Sequence, residues 1–213
     1  MTPIRILIAD DHEVVRAGVR RMLEAEPGWQ VCAEANDGRS AVALAVVLKP
    51  DVVVLDIGMP GLNGIDVTRR LRRLLPDTEI LVLTMHDADS LVADAIEAGA
   101  RGYVLKSDAG DILRAAVRQV VAHRQYISDG LSVSGTRAVA SGNAASPKDR
   151  LTVREREVLQ LLSEGRSNKE VGSLLGISEK TAETHRARLM TKLGAHSVAA
   201  LVRYAVRNRI IEP

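Results

Sequence analysis

The chain of 213 residues has no phenylalanine, one tryptophan and three tyrosines. Its core must therefore be built from Leu, Val, Ile and Ala. It has a single cysteine, Cys32, which excludes an internal disulfide and fits a reducing compartment. Cys32 sits in an apolar stretch and reads as a buried, inert thiol. No apolar run approaches the roughly 18 residues that a membrane-spanning helix needs; the longest, residues 41–48, suits a buried helix. The opening residues alternate apolar and polar and then meet Asp10 and Asp11, which is not the pattern of a signal peptide. What is present is ordinary for folded protein: 46% apolar residues, and length enough for two small domains.

Charge is nearly balanced overall, at +2, but unevenly placed. Residues 1–128 carry 15 Lys and Arg against 18 Asp and Glu, whereas residues 148–213 carry 13 against 8. A basic C-terminal part points to a polyanionic partner, although a surplus of this size is also what a solvated face carries.

Short apolar runs recur through the first part at residues 4–9, 51–55, 79–83 and 102–105, with an alternating and more peripheral run at 30–35. Near-continuous apolar runs suit parallel strands covered on both faces. Helical patterns fall between them, at 12–25, 38–48, 63–74, 89–98 and 109–123. This alternation predicts an α/β, doubly wound, five-stranded parallel sheet over residues 1–126. Residues 127–147 lose the pattern, are rich in Ser, Gly and Ala, and read as a linker. From residue 148 the chain is all-α. Thr152 with Glu155 and Ser167 with Glu170 have capping-box spacing, Ser178 and Ser197 can cap two further helices, and Gly165, Gly176 and Gly194 stand where helices should stop.

Asp10, Asp11, Asp56, Thr84 and Lys106 share one property: each stands just past the end of an apolar strand. In a doubly wound sheet those ends lie on one edge, where ligands bind. Carboxylates brought together repel one another, and a hard divalent cation relieves that. Oxygen ligands alone favour Mg2+, which often shares a phosphate. A lysine and a threonine hydroxyl on the same edge can hold phosphate oxygens. The implied chemistry is attack by a carboxylate on a phosphoryl donor to give an acyl phosphate. An Asp-Asp pair by itself is more often a helix N-cap; the whole set in this order points to a site.

The segments ADDHEVVRAGV (9–19), DVVVLDIGMPGLNGID (51–66), LTMHD (83–87) and GARGYVLK (99–106) resemble those of response-regulator receiver domains, over residues 1–123. The resemblance implies a flavodoxin-like fold with Asp56 as phosphoacceptor. It further implies Mg2+ held by Asp11, Asp56 and the carbonyl of Gly58, with Asp10 acting through water or a hydrogen bond, and Lys106 on the phosphoryl group. Thr84 and Tyr103 would form the switch, the hydroxyl turning toward phosphate and the ring moving inward. Ser107 departs from the family, in which a proline in a cis peptide commonly follows the lysine; a cis bond before a non-proline costs about 2.5–4 kcal/mol. His12 and His86 flank the pocket. His86 could influence hydrolytic water, but a plain surface histidine is the preferred reading. His123 and His196 carry no motif.

In the C-terminal part, a helix at 168–175, a turn at 176–178 and a helix at 179–192 form a helix-turn-helix pattern. Helical spacing turns Ala182, Leu189 and one of His185 or Arg186 inward, and Lys180, Glu183, Thr184, Ala187 and Arg188 outward. Small groups in the middle of a stripe with cations at its margins suit the major groove. A helical bundle with a basic solvated face is the alternative. Residues 151–211 resemble a LuxR-type DNA-binding domain over its whole length, with Val153 where proline is common and Ala182 where a larger aliphatic is common. The resemblance implies Glu183, Thr184 and Ala187 facing bases, Lys169, Lys180, Thr181, Arg188 and Lys192 facing the backbone, and the last helix forming a dimer contact.

Together the two parts, a receiver and an all-α four-helix helix-turn-helix domain at 148–213, resemble the NarL/FixJ group of response regulators. The implied function is a cytoplasmic transcription factor without membrane attachment. Its implied partners are double-stranded DNA, a sensor histidine kinase and a second copy of itself when active, with RNA polymerase as a further candidate. Slow self-phosphorylation and self-hydrolysis are expected, without small-molecule turnover. Two other classes stand beside this one. A phosphoaspartyl phosphatase would commonly place a second aspartate two residues past the nucleophile, where this chain has Gly58. A phosphorylation-independent DNA binder would use the receiver only for protein contacts.

Overall fold

The structure is a computed structural model, and it describes residues 2–108, 110–129, 131, 151–208, 210 and 211. The chain divides into two compact units, before and after residue 142. Most of the expected linker, residues 132–147, lies outside the described residues.

The N-terminal unit alternates strands and helices: β1 (Ile4–Ala9), α1 (Glu13–Glu24), β2 (Trp29–Ala35), α2 (Gly38–Leu48), β3 (Val52–Leu55), α3 (Gly64–Leu74), β4 (Glu79–Thr84), α4 (Asp89–Ala98), β5 (Gly102–Leu105), α5 (Asp111–Val121) and β6 (Tyr126–Ile127). The sheet is parallel throughout, in the order β2-β1-β3-β4-β5-β6. Residue alternation along the strands supplies two cores. Leu7, Val53, Leu55, Ile80 and Val82 pack against Ala41 and Ala45 of α2, Val67 and Leu71 of α3 and Val92 of α4. Ile6, Ile8, Val52, Val54, Leu81 and Leu83 pack against Val19 and Leu23 of α1 and Leu113 and Val117 of α5. Burial on both faces is why β1, β3, β4 and β5 are nearly continuous apolar runs.

Among the described residues the sheet has six strands, not the five expected. Tyr126 and Ile127 pair with Gly102 and Tyr103, and Ser128 N–H donates to the Tyr103 carbonyl at 2.9 Å. Ser128 is buried and Leu131 packs on the core, so this unit continues past residue 126, where a linker was expected to begin. A two-residue strand is too short to show periodicity, which hid it in the sequence. A 3₁₀ turn, Lys106–Asp108, precedes α5. No peptide bond among the described residues is cis, so Lys106–Ser107 is trans.

The C-terminal unit is helical: α6 (Val153–Ser163), α7 (Asn168–Leu175), α8 (Glu179–Lys192) and α9 (Val198–Arg207). Both capping boxes form, at Thr152/Glu155 and Ser167/Glu170, and Ser178 and Ser197 cap α8 and α9. Gly176 ends α7 in the left-handed region, at φ +64°. Val158, Leu162, Val171, Leu175, Ala182, Leu189 and Leu201 make one core. The Val153 side chain lies outside what the structure describes.

Candidate functional site

Sheet register assembles the first site. Ala9 pairs with Leu55, Leu55 with Val82, and Thr84 with Leu105. The residues that close or follow these strands, Asp10, Asp56, Thr84 and Lys106, therefore share one edge. Lys106 Nζ lies 2.8 Å from Asp56 Oδ2 and 2.8 Å from Asp10 Oδ2, joining the ends of β1, β3 and β5. Asp56 Oδ1 accepts the Ile57 N–H at 2.8 Å, and Asp10 Oδ1 accepts the His12 N–H at 2.8 Å. His12 Nδ1 stands 2.8 Å from Asp11 Oδ1. Asp10 and Asp56 are 3% and 4% exposed, whereas Asp11 is open to solvent.

Asp10, Asp11, His12 and Asp56 each offer a ligand atom, all within 4.8 Å of one another. This is an acidic cluster of the type with which receiver domains hold Mg2+. Gly58 lies half-buried in the turn after Asp56. That turn is closed by the Gly64 N–H donating to the Ile57 carbonyl at 2.9 Å. A Cβ on Gly64 would stand 2.2 Å from the Asp56 carbonyl oxygen, so only glycine lets α3 start this close.

Burial pushes the Asp56 carboxyl above the ordinary aspartate value, against the pull of the Lys106 ammonium. Burial acts on Lys106 in the opposite sense, but attraction to Asp56 and hydrogen bonds to Asp10 and Asp56 outweigh it, and its pKa is raised. The site thus holds a charged lysine against the Asp56 carboxylate, whose charge burial disfavours.

Thr84 and Tyr103, the expected switch pair, meet on the backbone of His86. The Thr84 hydroxyl accepts the His86 N–H at 3.4 Å, and the Tyr103 hydroxyl donates to the His86 carbonyl at 2.8 Å. Both side chains are fully buried. The Tyr103 ring is inward in this structure, the position expected of it on phosphorylation.

In the C-terminal unit, α8 buries Ala182 and Leu189 and leaves Lys180, Thr181, Glu183, Thr184, Ala187 and Arg188 exposed. His185 and Arg186 are both half-buried, so neither alone takes the third inward place. The Thr184 hydroxyl donates back to the Lys180 carbonyl at 2.9 Å, and the Thr181 and Ser178 hydroxyls are 2.8 Å apart. Lys169 is exposed on α7. Lys192 is half-buried, with Nζ 2.7 Å from Glu155 Oε2.

Residues 6–118 match the response regulator receiver domain model, and residues 149–205 match the model of bacterial regulatory proteins of the luxR family. LiaR, a transcriptional regulatory protein of Bacillus subtilis, is 40% identical over 98% of this chain and 99% of its own. NarP, a nitrate/nitrite response regulator of Escherichia coli, is 41% identical over 94% of each. The chain belongs to the NarL/FixJ-type response regulators. Among solved structures, RcsB of Salmonella enterica serovar Typhimurium, bound to promoter rprA in the presence of a phosphomimetic, is 28% identical. That match covers 95% of this chain and 98% of RcsB, with a TM-score of 0.63.

For this NarL/FixJ-type regulator, every receiver residue named from the strand ends lies at the carboxyl edge of the sheet. His12 stands with the acidic cluster, beside the pocket it was expected to flank. Two features were not foreseen. Lys106 bridges two aspartates, and the His86 backbone receives both Thr84 and Tyr103. The first follows from distances between separate strands, which no local pattern carries. The second lies in a backbone amide and carbonyl, which sequence does not distinguish.

Proposed function

We propose that this response regulator is a transcription factor whose DNA binding is controlled by phosphorylation of Asp56. The observation that carries this reading is the Asp56 carboxylate, buried at the strand edge with Lys106 Nζ 2.8 Å away and Asp10 and Asp11 beside it. An Asp56 carboxylate oxygen attacks the phosphorus of a phosphohistidine on a sensor kinase. The new P–O bond forms as the P–N bond breaks, and the imidazole leaves with the electron pair. Lys106 neutralises the phosphoryl oxygens, and the Thr84 hydroxyl turns from the His86 N–H toward them. Asp11, Asp56 and the Gly58 carbonyl are the proposed holders of Mg2+, with Asp10 through water. When bound, the ion supplies charge neutralisation at the phosphoryl oxygens.

The output is dimerisation and binding of double-stranded DNA. A LuxR-type domain and the DNA-bound state of the similar RcsB support this. Glu183, Thr184 and Ala187 are the proposed base-facing residues, with Lys169, Lys180, Thr181 and Arg188 on phosphates. A phosphoryl group shifts the equilibrium only by its unequal stabilisation of two receiver states. The protein acts in the cytoplasm; none of the described helices is long and apolar enough to cross a membrane. Self-phosphorylation and hydrolysis are slow, and small molecules are not turned over.

The test is intact mass after incubation with Mg2+ and a small acyl-phosphate donor, for wild type and Asp56→Asn, followed by DNA affinity of each. One phosphoryl gain in wild type, none in the variant, and tighter DNA binding only where the gain occurs are expected. A phosphorylation-independent DNA binder that uses the receiver only for protein contacts is the second reading. DNA binding of equal strength in both proteins would establish it.

A further inference from the structure

Lys192 is the last residue of α8, the helix proposed to face DNA, and a lysine there could reach a phosphate or be held within the domain. The structure shows what it touches. Its ammonium stands 2.7 Å from Glu155 Oε2, with the two side chains 25% and 15% exposed. Glu155 is itself immobilised: Oε2 accepts the Thr152 N–H at 2.8 Å, and the Glu155 N–H donates to the Thr152 hydroxyl at 3.2 Å. Lys180 and Arg188 differ, being exposed with no ion-pair partner among the described residues.

The neighbouring Arg154 makes a parallel link. Its Nη2 donates to the Leu175 carbonyl, on the last residue of α7, at 2.7 Å. Its Nη1 donates to Glu157 at 2.9 Å, where Glu157 is 1% exposed. The first turn of α6 therefore grips the C-terminal ends of both helices of the helix-turn-helix, α7 through Arg154 and α8 through Lys192. At the other end of α8 the backbone is already confined. A Cβ on Gly172 would stand 2.9 Å from the Ile177 carbonyl and 3.2 Å from the Glu179 nitrogen. A cation at Lys192 also suits the helix C-terminus.

We propose that Glu155 and Lys192 are positioning residues that set the tilt of α8, and that Lys192 does not contact DNA phosphate. The proposal rests on α8 being the DNA-facing helix. Base-facing positions 183–187 lie roughly 8–14 Å along the helix from Lys192 at 1.5 Å per residue. A change of tilt about the two ends moves those positions relative to base edges without removing a phosphate contact.

The test uses the full chain, incubated with Mg2+ and an acyl-phosphate donor, and a duplex enriched by the wild-type protein from a randomised library. Affinity is measured across a range of salt for wild type, Lys192→Gln, Glu155→Gln, the double variant, Lys192→Arg and Lys180→Gln. Each lost phosphate contact lowers the salt slope by about 0.9. Lys180→Gln is expected to show that loss. Lys192→Gln and Glu155→Gln are expected to weaken binding by similar factors with the wild-type slope and a relaxed base preference. The double variant should be no weaker than either single one, as coupled residues behave, and Lys192→Arg should restore affinity. A slope lowered by about 0.9 in Lys192→Gln, with Glu155→Gln binding as wild type, would overturn the proposal. If Lys180→Gln also keeps the wild-type slope, the placement of α8 on DNA fails. Additive affinity losses at 155 and 192 would still overturn the positioning pair, and non-additive losses would support it.

Discussion

In the N-terminal unit four residues of the proposed phosphoryl site are buried: Asp10, Asp56, Thr84 and Tyr103 are each 4% exposed or less. In the C-terminal unit Lys180, Glu183, Thr184, Ala187 and Arg188 all stand on the surface of one helix, while its buried positions are Ala182 and Leu189. The receiver site is assembled from the ends of separate strands, and its charges lean on one another. The proposed DNA-facing stripe lies on a single helix whose support comes from residues that would not touch DNA. Substitutions in the first region should therefore change stability and function together, and substitutions on the exposed stripe should change function alone.

The largest expected effect is at Lys106. Lys106→Met leaves Asp10 and Asp56 buried without their cation, and removing one partner of a buried ion pair costs about 3–5 kcal/mol. Denaturant unfolding should show that loss in the receiver, with added Mg2+ recovering part of it. A loss under about 1 kcal/mol would mean that the acidic edge is solvated well enough not to need Lys106, and the comparison between the regions would collapse.

Gly64→Ala comes next. Its Cβ would meet the Asp56 carbonyl at 2.2 Å, so α3 must retreat from the turn that carries Asp56 and Gly58. Overpacking of this kind costs about 1–3 kcal/mol. Thermal unfolding and the rate of phosphoryl gain at Asp56 should fall together; an unchanged rate would separate packing from function in a region where they are expected to be joined.

A smaller effect concerns buried charge away from Asp56. Glu79, 3% exposed, is held by Arg101 at 3.1 Å and His123 at 2.8 Å. Burial raises its pKa, but Arg101 and His123 outweigh that and hold it below the ordinary glutamate value of 4.5. A depressed folded pKa stabilises fully above the unfolded value and loses that contribution as pH falls through the folded one. The stability gap between wild type and Glu79→Gln should thus be constant near neutrality and shrink below about pH 4.5. A gap that widens on acidification would reverse the assigned direction.

The smallest stability effect belongs to the exposed stripe. Thr184→Ala removes a hydroxyl bonded back to the Lys180 carbonyl, and surface substitutions of this kind change stability by about 0.5 kcal/mol or less. Discrimination at one base position should nevertheless fall by about 1–3 kcal/mol. The measurement is binding to duplexes varied one base pair at a time. Equal binding across all of them would remove Thr184 from the base-facing set.

Legibility differed between the regions for the same physical reason. Helix caps act within three residues, so Thr152/Glu155, Ser167/Glu170, Ser178 and Ser197 could be read directly and formed as expected. Strands buried on both faces show as apolar runs, which made β1, β3, β4 and β5 legible with their terminal polar residues. The sixth strand, Tyr126–Ile127, was not legible, because it exists only by pairing with Gly102 and Tyr103. The Lys192–Glu155 pair joins residues 37 apart in the chain and leaves no local signature.

The sequence by itself determined the order of elements, the helix boundaries marked by capping residues and glycines, and which polar residues close the apolar strands, because these depend on neighbours within a few positions. The tertiary structure alone decided that Lys106 bridges Asp10 and Asp56, that Thr84 and Tyr103 meet on the His86 backbone, and that Lys192 turns to Glu155. Each of these depends on the packing of elements remote in sequence, where a difference of an ångström separates an ion pair from two solvated charges.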